Sequence, residues 1–122
     1  MGGPEIECCR MPDGVPLPGE EALRWADALR ALADPTRLRI LSLLADQAGP
    51  LCVCEITPLF AQSQPTISHH LRVLADAGLI SLERRGVWSH YSATDLGRRR
   101  IAAVRGILGG GPDGDMGDRA TA

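Results

Sequence analysis

The sequence predicts one mainly α-helical domain with a small β-hairpin near its carboxyl end. Apolar residues recur at helical spacing in several segments between residues 20 and 108, whereas Val, Trp and Tyr are concentrated in residues 87–92. With one Phe, one Tyr and two Trp, the core must consist mainly of Leu, Ala, Val and Ile, as in many helical bundles. A chain of 122 residues can bury a modest core without disulfides.

The first two predicted helices supply much of that core. Residues 20–33 form an amphipathic helix that Asp34-Pro35-Thr36 ends, and Pro35 suits the first position of the next helix. Residues 36–45 are so rich in Leu and Ile that this second helix should be nearly surrounded. Arg37 and Arg39 are expected to be solvated or salt-bridged rather than to contact DNA. The apolar residues of the first helix available for burial are Leu23, Trp25, Ala26, Leu29 and Leu32.

A helix-turn-helix is predicted in the middle of the chain. Residues 51–56 lead into a short helix that ends near Phe60, and a longer helix spans residues 63–77. Ser63 suits the N-cap of the longer helix, and Gly78 marks its end. Two helices joined by a short turn can present the second helix to the major groove.

The outer face of the longer helix is polar and nearly free of acids. Gln, Ser, Thr and Arg side chains hydrogen-bond base edges or phosphates, so this face is a candidate DNA reader, although an ordinary surface helix would show a similar pattern. His70 lies near the apolar stripe and is expected to be a hydrogen-bonded structural residue. The candidate DNA-contacting residues of this helix are Gln64, Thr66, Ser68, His69 and Arg72.

A basic hairpin and a last helix complete the predicted domain. Two short strands, residues 79–83 and 87–92, flank the turn Arg84-Arg85-Gly86, whose arginines can neutralise phosphates beside the groove. Thr94 caps a helix that runs to about Leu108. The apolar side of this helix exceeds what a small domain needs, so with the first helix it predicts a dimer surface.

Composition limits the location and the partners of the chain. The net charge of -2 does not suit a non-specific DNA coater, but all 13 basic residues are Arg and several are clustered. No run is long enough to span a membrane and no signal peptide is apparent, so we expect a cytoplasmic protein with reduced thiols. Residues 1–19 are predicted to be a flexible arm, residues 20–108 the domain, and residues 109–122 a disordered tail.

The four cysteines form two pairs, Cys8-Cys9 in the arm and Cys52-x-Cys54 before the helix-turn-helix. Thiolates are soft ligands, and neither pair has the C-x-x-C spacing common in structural zinc sites. Cys54 can alternatively be a small buried hydrophobe. His90 lies in the hairpin, and no histidine belongs to a metal-like cluster. A thiol enzyme would need an activated cysteine and a substrate pocket, so no enzymatic activity and no organic cofactor are predicted.

Five sequence blocks together resemble the ArsR/SmtB family of metal-sensing winged-helix repressors over roughly residues 23–108. They are ALADPTRLRIL at 31–41, LCVCEI at 51–56, SQPTISHHLRVL at 63–74, AGLI at 77–80 and RRGVWSHY at 84–91. The resemblance implies a homodimeric winged helix-turn-helix that binds a palindromic double-stranded operator and releases it when an inducer binds. It assigns DNA contacts to Gln64, Thr66, Ser68, His69, Arg72, Arg84, Arg85 and Gly86.

The resemblance also implies that Cys52 and Cys54 bind soft ions such as arsenite, antimonite, cadmium or lead. One subgroup of the family has a third cysteine where this chain has Thr57, and other members bring cysteines from an N-terminal arm. We therefore expect arsenite or antimonite on Cys8, Cys9 and one cysteine of the later pair, across the dimer. Four thiolates would equally suit cadmium or lead, and a thiol redox switch is a further alternative. A zinc site on the last helix is not expected because residues 94–108 contain one acid, Asp95, and no His.

Overall fold

The computed structural model describes residues 10–109, which form five helices and three strands in that part of the chain. The helices are α1 (Gly19–Leu32), α2 (Pro35–Ala45), α3 (Val53–Ile56), α4 (Gln64–Asp76) and α5 (Asp95–Val104), and the strands are β1 (Leu51–Cys52), β2 (Ile80–Arg85) and β3 (Trp88–Ala93). Residues 10–18 contain no helix or strand. Cys8, Cys9 and the predicted tail from residue 110 lie outside the described residues.

The β structure is a three-stranded antiparallel sheet in the order β1-β3-β2, not the two-stranded hairpin predicted from the sequence. The added strand, β1, has only two residues, in which Leu51 pairs with Tyr91 and Cys52 with His90. Two residues are too few to show a period of two, so the sequence could not reveal this strand. Arg84 and Arg85 belong to the end of β2, and Gly86, with a φ of 65°, begins the tight connection to β3.

The core is built around α2 and α4. Ile40, Leu41 and Leu44 of α2 are buried, and the predicted stripe of α4, Ile67, Leu71 and Leu74, is fully buried against them. In contrast, Leu23, Trp25 and Leu29 of α1 are each more than half exposed, and the buried residues of this helix are Ala31 and Leu32. Helix α1 therefore leaves most of its apolar face uncovered within one chain.

Several helix ends are set by side-chain caps or by a glycine. The Asp34 carboxylate accepts a hydrogen bond from the Arg37 N–H (3.1 Å) at the start of α2, and the Thr94 hydroxyl accepts one from the Gly97 N–H (3.0 Å) in α5. Gly78 ends α4 with a φ of 77°. Ser63 differs from the prediction, since its hydroxyl donates to the Thr66 hydroxyl instead of capping a backbone N–H.

Two helices are shorter than predicted. Helix α3 ends at Ile56, and the chain continues to Leu59 as a 3₁₀ turn because Pro58 lacks the N–H that would extend α-helical bonding. Helix α5 ends at Val104, and residues Arg105–Gly109 form a wider π-helical turn in place of the predicted regular helix to Leu108.

Candidate nucleic-acid interface and thiol site

Helix α4 presents its polar side chains to solvent because its apolar stripe is fixed in the core. Gln64, Thr66, His69 and Arg72 are exposed, and Ser68 is partly buried. The aligned hydroxyls of Ser63 and Thr66 lie 3.2 Å apart at the amino end of the helix. Because no other part of the described chain covers them, the predicted contact residues of α4 are available to a DNA groove.

The hairpin formed by β2 and β3 places basic groups at its tip. Arg84, Arg85 and Gly86 are all exposed. Arg85 Nη2 donates to Glu83 Oε1 at 3.2 Å, an exposed ion pair that contributes little to stability. Arg84 has no carboxylate within ion-pair distance among residues 10–109, so its guanidinium is free to meet a phosphate.

Helix α4 is anchored to the rest of the domain by a side chain that sequence reasoning missed. Arg37 Nε donates to the Ala31 carbonyl (2.8 Å), and its Nη1 lies 3.1 Å from His70 Nδ1. The predicted structural role of His70 is confirmed, but Arg37 is not the solvated or salt-bridged residue that was expected. Arg39 instead stacks its guanidinium 4.6 Å from the centre of the Phe60 ring. The available sequence signal was the position of Arg37 three residues after a capping Asp34.

Cys52 and Cys54 lie where the sheet passes into α3. Cys52 is the last residue of β1 and the N-cap of α3, and its Sγ accepts a hydrogen bond from the Cys54 N–H at 3.2 Å. Glu55 completes a reciprocal cap, because its Oε1 accepts from the Cys52 N–H at 2.8 Å. A thiol thus takes the place that Ser or Thr usually occupies. Cys52 is buried, while Cys54 is exposed.

The two thiols influence each other. The hydrogen bond between the Cys54 and Cys52 side chains raises the pKa of Cys54, and partial desolvation and the negative charges of Cys52 and Glu55 act in the same direction. A ligand that binds the Cys54 thiolate must therefore displace its proton. Exposure of Cys54 gives such a ligand a route to the pair.

The described part of the chain supplies two sulfur donors at this position. Between residues 10 and 109 no three His, Cys, Asp or Glu side chains are arranged as a metal site. Arsenite and antimonite are satisfied by three thiolates, so the pair fits them only with one more sulfur. Cys8 and Cys9, the predicted source of that sulfur, are outside the described residues.

A known protein family matches the middle of the chain. The sequence profile of the family described as bacterial regulatory protein, ArsR family, matches residues 34–81, from the cap of α2 into β2. An uncharacterised helix-turn-helix-type transcriptional regulator of Methanocaldococcus jannaschii is 46% identical over 76 residues, which are 62% of this chain and 84% of that protein. The chain belongs to the ArsR family. Its fold is accordingly the winged helix-turn-helix, with β2 and β3 as the wing.

Further relatives match more than half of the chain. The arsenical resistance operon repressor of Bacillus subtilis is 42% identical over 72 residues, covering 59% of this chain and 68% of the repressor. A cadmium resistance regulatory protein, CadC homolog, of Staphylococcus aureus is 37% identical over 70 residues and 57% of each chain. Among solved structures, the homodimeric winged helix-turn-helix DNA-binding domain of a possible ArsR-family regulator from Mycobacterium bovis matches with a TM-score of 0.65 and 28% identity, covering 80% of this chain and 89% of that domain.

The family membership agrees with the surface chemistry of the described residues. An ArsR-family regulator needs a DNA-reading helix, and α4 is the exposed polar helix next to the wing. No helix within residues 10–109 is long and apolar enough to cross a membrane.

Proposed function

We propose that this protein is a transcriptional repressor that binds operator DNA as a homodimer and releases it when arsenite or antimonite binds its cysteine thiolates. The observation that carries this proposal is the position of the Cys52-Cys54 pair at the start of the same helix-turn-helix whose second helix faces solvent. A ligand at the thiols is therefore next to the DNA-reading element in the chain. The relative named as an arsenical resistance operon repressor supports the choice of ligand.

The DNA contacts divide into two kinds. Gln64, Thr66 and Ser68 carry short polar groups suited to base edges, and Arg72 suits either a guanine or a phosphate. His69 is exposed on the same helix and can hydrogen-bond a base or the backbone. On the wing, Arg84 and Arg85 supply charge for phosphates, and Gly86 lets the backbone tip approach closely.

A homodimer accounts for the uncovered apolar surface. Leu23, Trp25 and Leu29 of α1 are exposed, and so are Ile107 and Leu108 after α5. An open hollow of about 290 Å³ lies between α1 and α5 and is lined by Trp25, Ala28, Leu29 and Leu32 of α1 and by Arg100 of α5. A second copy seated here would bury these groups and place two α4 helices on a two-fold DNA site. The homodimeric solved relative supports the homodimer.

Release follows from what the thiols do in the free protein. Cys52 Sγ caps α3 through the Cys54 N–H, and only the 3₁₀ turn and residues 60–63 separate α3 from α4. Ligand binding recruits both sulfurs and, in this proposal, Cys8 and Cys9 of the partner copy. Drawing these groups together changes the start of the helix-turn-helix. Operator affinity falls only if the ligand prefers the conformation that binds DNA less well.

A cadmium- or lead-responsive repressor that uses all four cysteines is the second candidate. The cadmium resistance regulator among the relatives favours it, and four thiolates suit these soft divalent ions. The two candidates share the operator and the dimer and differ in the ion and in the number of sulfurs.

The deciding experiment measures operator binding by fluorescence anisotropy under reducing conditions. The full chain first selects a duplex from a random library, and that duplex is titrated with arsenite, antimonite, cadmium, lead, zinc and, without reductant, peroxide. Release by arsenite and antimonite alone supports the first candidate, release by cadmium or lead the second, and release by peroxide alone a redox switch. The absence of any specific duplex would contradict the repressor.

Cysteine substitutions then locate the inducer site. Cys54→Ser should abolish release while leaving operator affinity in place, and the joint change Cys8→Ser with Cys9→Ser should do the same for arsenite. Thr57→Ser, which changes a neighbouring residue whose hydroxyl bonds the Val53 carbonyl at 2.9 Å, is the matched control and should respond like the parent protein. Unchanged arsenite release after the Cys8 and Cys9 changes would exclude the arm.

A further inference from the structure

A row of three potential ligand residues crosses the sheet. Cys52 of β1 is paired with His90 of β3, and His90 is paired with Glu83 of β2. Residues directly opposite in antiparallel strands direct their side chains to the same face of the sheet. Cys52, His90 and Glu83 therefore share one face of the sheet. In the sequence, Cys52 lies 31 positions before Glu83 and 38 before His90, and the hairpin turn separates Glu83 from His90.

This row occupies the face of the sheet away from the main core. The adjacent row, Leu51, Tyr91 and Leu82, must face the opposite way, and both Leu51 and Tyr91 pack against the core cluster. Cys52 is only 4% exposed, yet it is not a member of that cluster. Cys52 is thus buried on the sheet face that carries His90.

Cys52 and His90 form the closer kind of antiparallel pair. In the wider kind, both residues exchange backbone N–H to carbonyl bonds, but the Cys52 N–H is taken by Glu55 Oε1 at 2.8 Å. The pair is therefore of the non-hydrogen-bonded kind, in which Cα atoms lie about 4.5 Å apart and the side chains approach most closely. A single ion can be reached from both side chains at that separation.

The imidazole of His90 has an unused nitrogen. Its Nδ1 is buried, and none of the described residues forms a hydrogen bond with it. A buried ring nitrogen without a partner is unfavourable and calls for a partner that the free chain does not supply. The carboxylate in the same row is already engaged, since Glu83 Oε1 accepts from Arg85.

We propose that His90, through Nδ1, joins Cys52 and Cys54 as the third protein ligand of a thiophilic divalent cation such as Cd²⁺ or Zn²⁺. The proposal rests on the proposed role of the cysteine pair as the inducer site and specifies a donor set for one class of inducer. Two thiolates and one imidazole suit Zn²⁺ and Cd²⁺, whereas arsenite favours three sulfurs. For Cd²⁺ and Zn²⁺ this donor set replaces the four-cysteine alternative, because His90 takes the place of the arm thiols, whereas metalloids still require the arm.

In the free protein these three side chains are not yet arranged as a metal site. Cys52 Sγ is turned toward the Cys54 N–H, and no three-ligand arrangement exists among residues 10–109. Cation binding therefore requires the two thiols to turn from the cap of α3 toward the sheet face that carries His90. The loss of that cap links occupancy of the site to the start of the helix-turn-helix.

The test uses the full chain carrying Cys8→Ser and Cys9→Ser, so that arm sulfurs do not contribute. Long-range proton–nitrogen NMR of the imidazole rings is followed during titration with Cd²⁺ and with Zn²⁺, and cobalt absorption reports thiolate ligation. We expect the His90 Nδ1 resonance to shift with one equivalent of cation while that of His69 stays in place. Thiolate ligation in the cobalt absorption spectrum with no change in the His90 resonance would overturn the proposal. This measurement needs no substitution at His90.

A substitution series gives an independent readout. His90→Gln should weaken Cd²⁺ binding by at least about tenfold, as expected for the loss of a donor at a metal centre. His69→Gln, on the exposed face of α4, is the matched control and should retain the parent affinity. Equal Cd²⁺ affinity in both variants, with thermal unfolding showing both folded, would contradict the assignment.

The two proposals can fail separately. Arsenite-driven release of the operator from the chain with its arm cysteines intact should be the same in His90→Gln and in the parent. If His90 binds cations but no ion releases DNA, the repressor proposal fails and the ligand assignment stands. If ions release DNA with His90 untouched in the NMR titration, the assignment fails and the repressor proposal stands.

Discussion

Arg37 Nη1 lies 3.1 Å from His70 Nδ1 and connects the first turn of α2 to the middle of α4. A guanidinium has only donors, so when the His70 ring is neutral its Nδ1 is the acceptor and its proton is on Nε2. The same guanidinium donates through Nε to the Ala31 carbonyl and through Nη2 to the Arg30 carbonyl (3.2 Å), both in the last turn of α1, where the Arg30 carbonyl also accepts from the Ala33 N–H. One side chain therefore positions α4 relative to α1, the helix that carries the uncovered apolar face.

Replacing this arginine should destabilise the domain. Arg37→Met leaves the Ala31 carbonyl and His70 Nδ1 without their donor, which should cost about 1–3 kcal/mol of unfolding free energy. Urea unfolding followed by circular dichroism measures this loss. Arg39→Met is the control, because it removes only a stacking contact with Phe60 and should cost about 1 kcal/mol or less. Equal losses in the two variants would show that the Arg37 contacts are not specific.

The Asp34 cap predicts a pH-dependent contribution to stability. Burial acts to raise the pKa of Asp34, but the hydrogen bond from the Arg37 N–H and the charges of His70 and Arg37 lower it below its usual value. The carboxylate therefore stabilises the fold above the unfolded pKa of about 3.9, and this contribution is lost as pH falls through the lower folded value.

Two substitutions separate the cap from the charge. Asp34→Ala should cost about 1 kcal/mol at neutral pH, whereas Asp34→Asn keeps a capping oxygen and should cost less. The stability difference between the parent and Asp34→Asn should be constant near neutral pH and shrink below about pH 4. Urea unfolding at a series of pH values tests this, and a difference that does not change with pH would contradict it.

Gly97 marks the closest approach of α5 to the chain after α4. A Cβ at this position would overlap the Leu79 carbonyl oxygen and lie 3.2 Å from Leu41 Cδ1. A backbone carbonyl cannot move aside as a flexible side chain can, so Gly97→Ala should cost about 1–3 kcal/mol or more. Gly106→Ala, where a Cβ would meet no atom within 4 Å, should change stability by no more than about 0.5 kcal/mol. Thermal unfolding of both variants measures the contrast.

The wing arginines should contribute to DNA affinity without selecting sequence. Arg84→Ala removes a charge that has no acid partner among the described residues, so it should weaken specific and random DNA alike and reduce the salt slope by about one. Anisotropy titrations at several salt concentrations give the slope. Arg24→Ala, an exposed arginine of α1, should leave the slope unchanged. A slope unaltered by Arg84→Ala would remove the wing from the interface.

The apolar face of α1 should control assembly. Leu29 is 64% exposed in the single chain and lines the hollow beside Arg100, so Leu29→Glu should place a charge in the proposed dimer contact. Sedimentation equilibrium should then show a monomer where the parent is a dimer. Val87→Glu alters a residue of the wing that is 82% exposed and should leave the mass unchanged. A dimeric Leu29→Glu protein would locate the contact elsewhere.

The sequence by itself determined the features that depend on neighbours along the chain. The buried stripe of Ile67, Leu71 and Leu74, the cap at Asp34 with Pro35 behind it, and the stop at Gly78 were all predictable, because periodicity, hydrogen-bonding caps and left-handed φ angles are properties of a few adjacent residues. The family resemblance came from the same local blocks. Its DNA contacts and its arm cysteines stay predictions.

Only the tertiary structure decided which distant groups meet. The pairing of Cys52 with His90 depends on the two-residue strand β1, and the bond from Arg37 to His70 depends on how α2 and α4 cross in the core. Burial also differed from expectation at Leu29, since helical spacing places an apolar residue on a face but does not say what covers that face. Strand register and helix packing depend on how much apolar surface the whole domain buries, and a local sequence pattern does not carry that information.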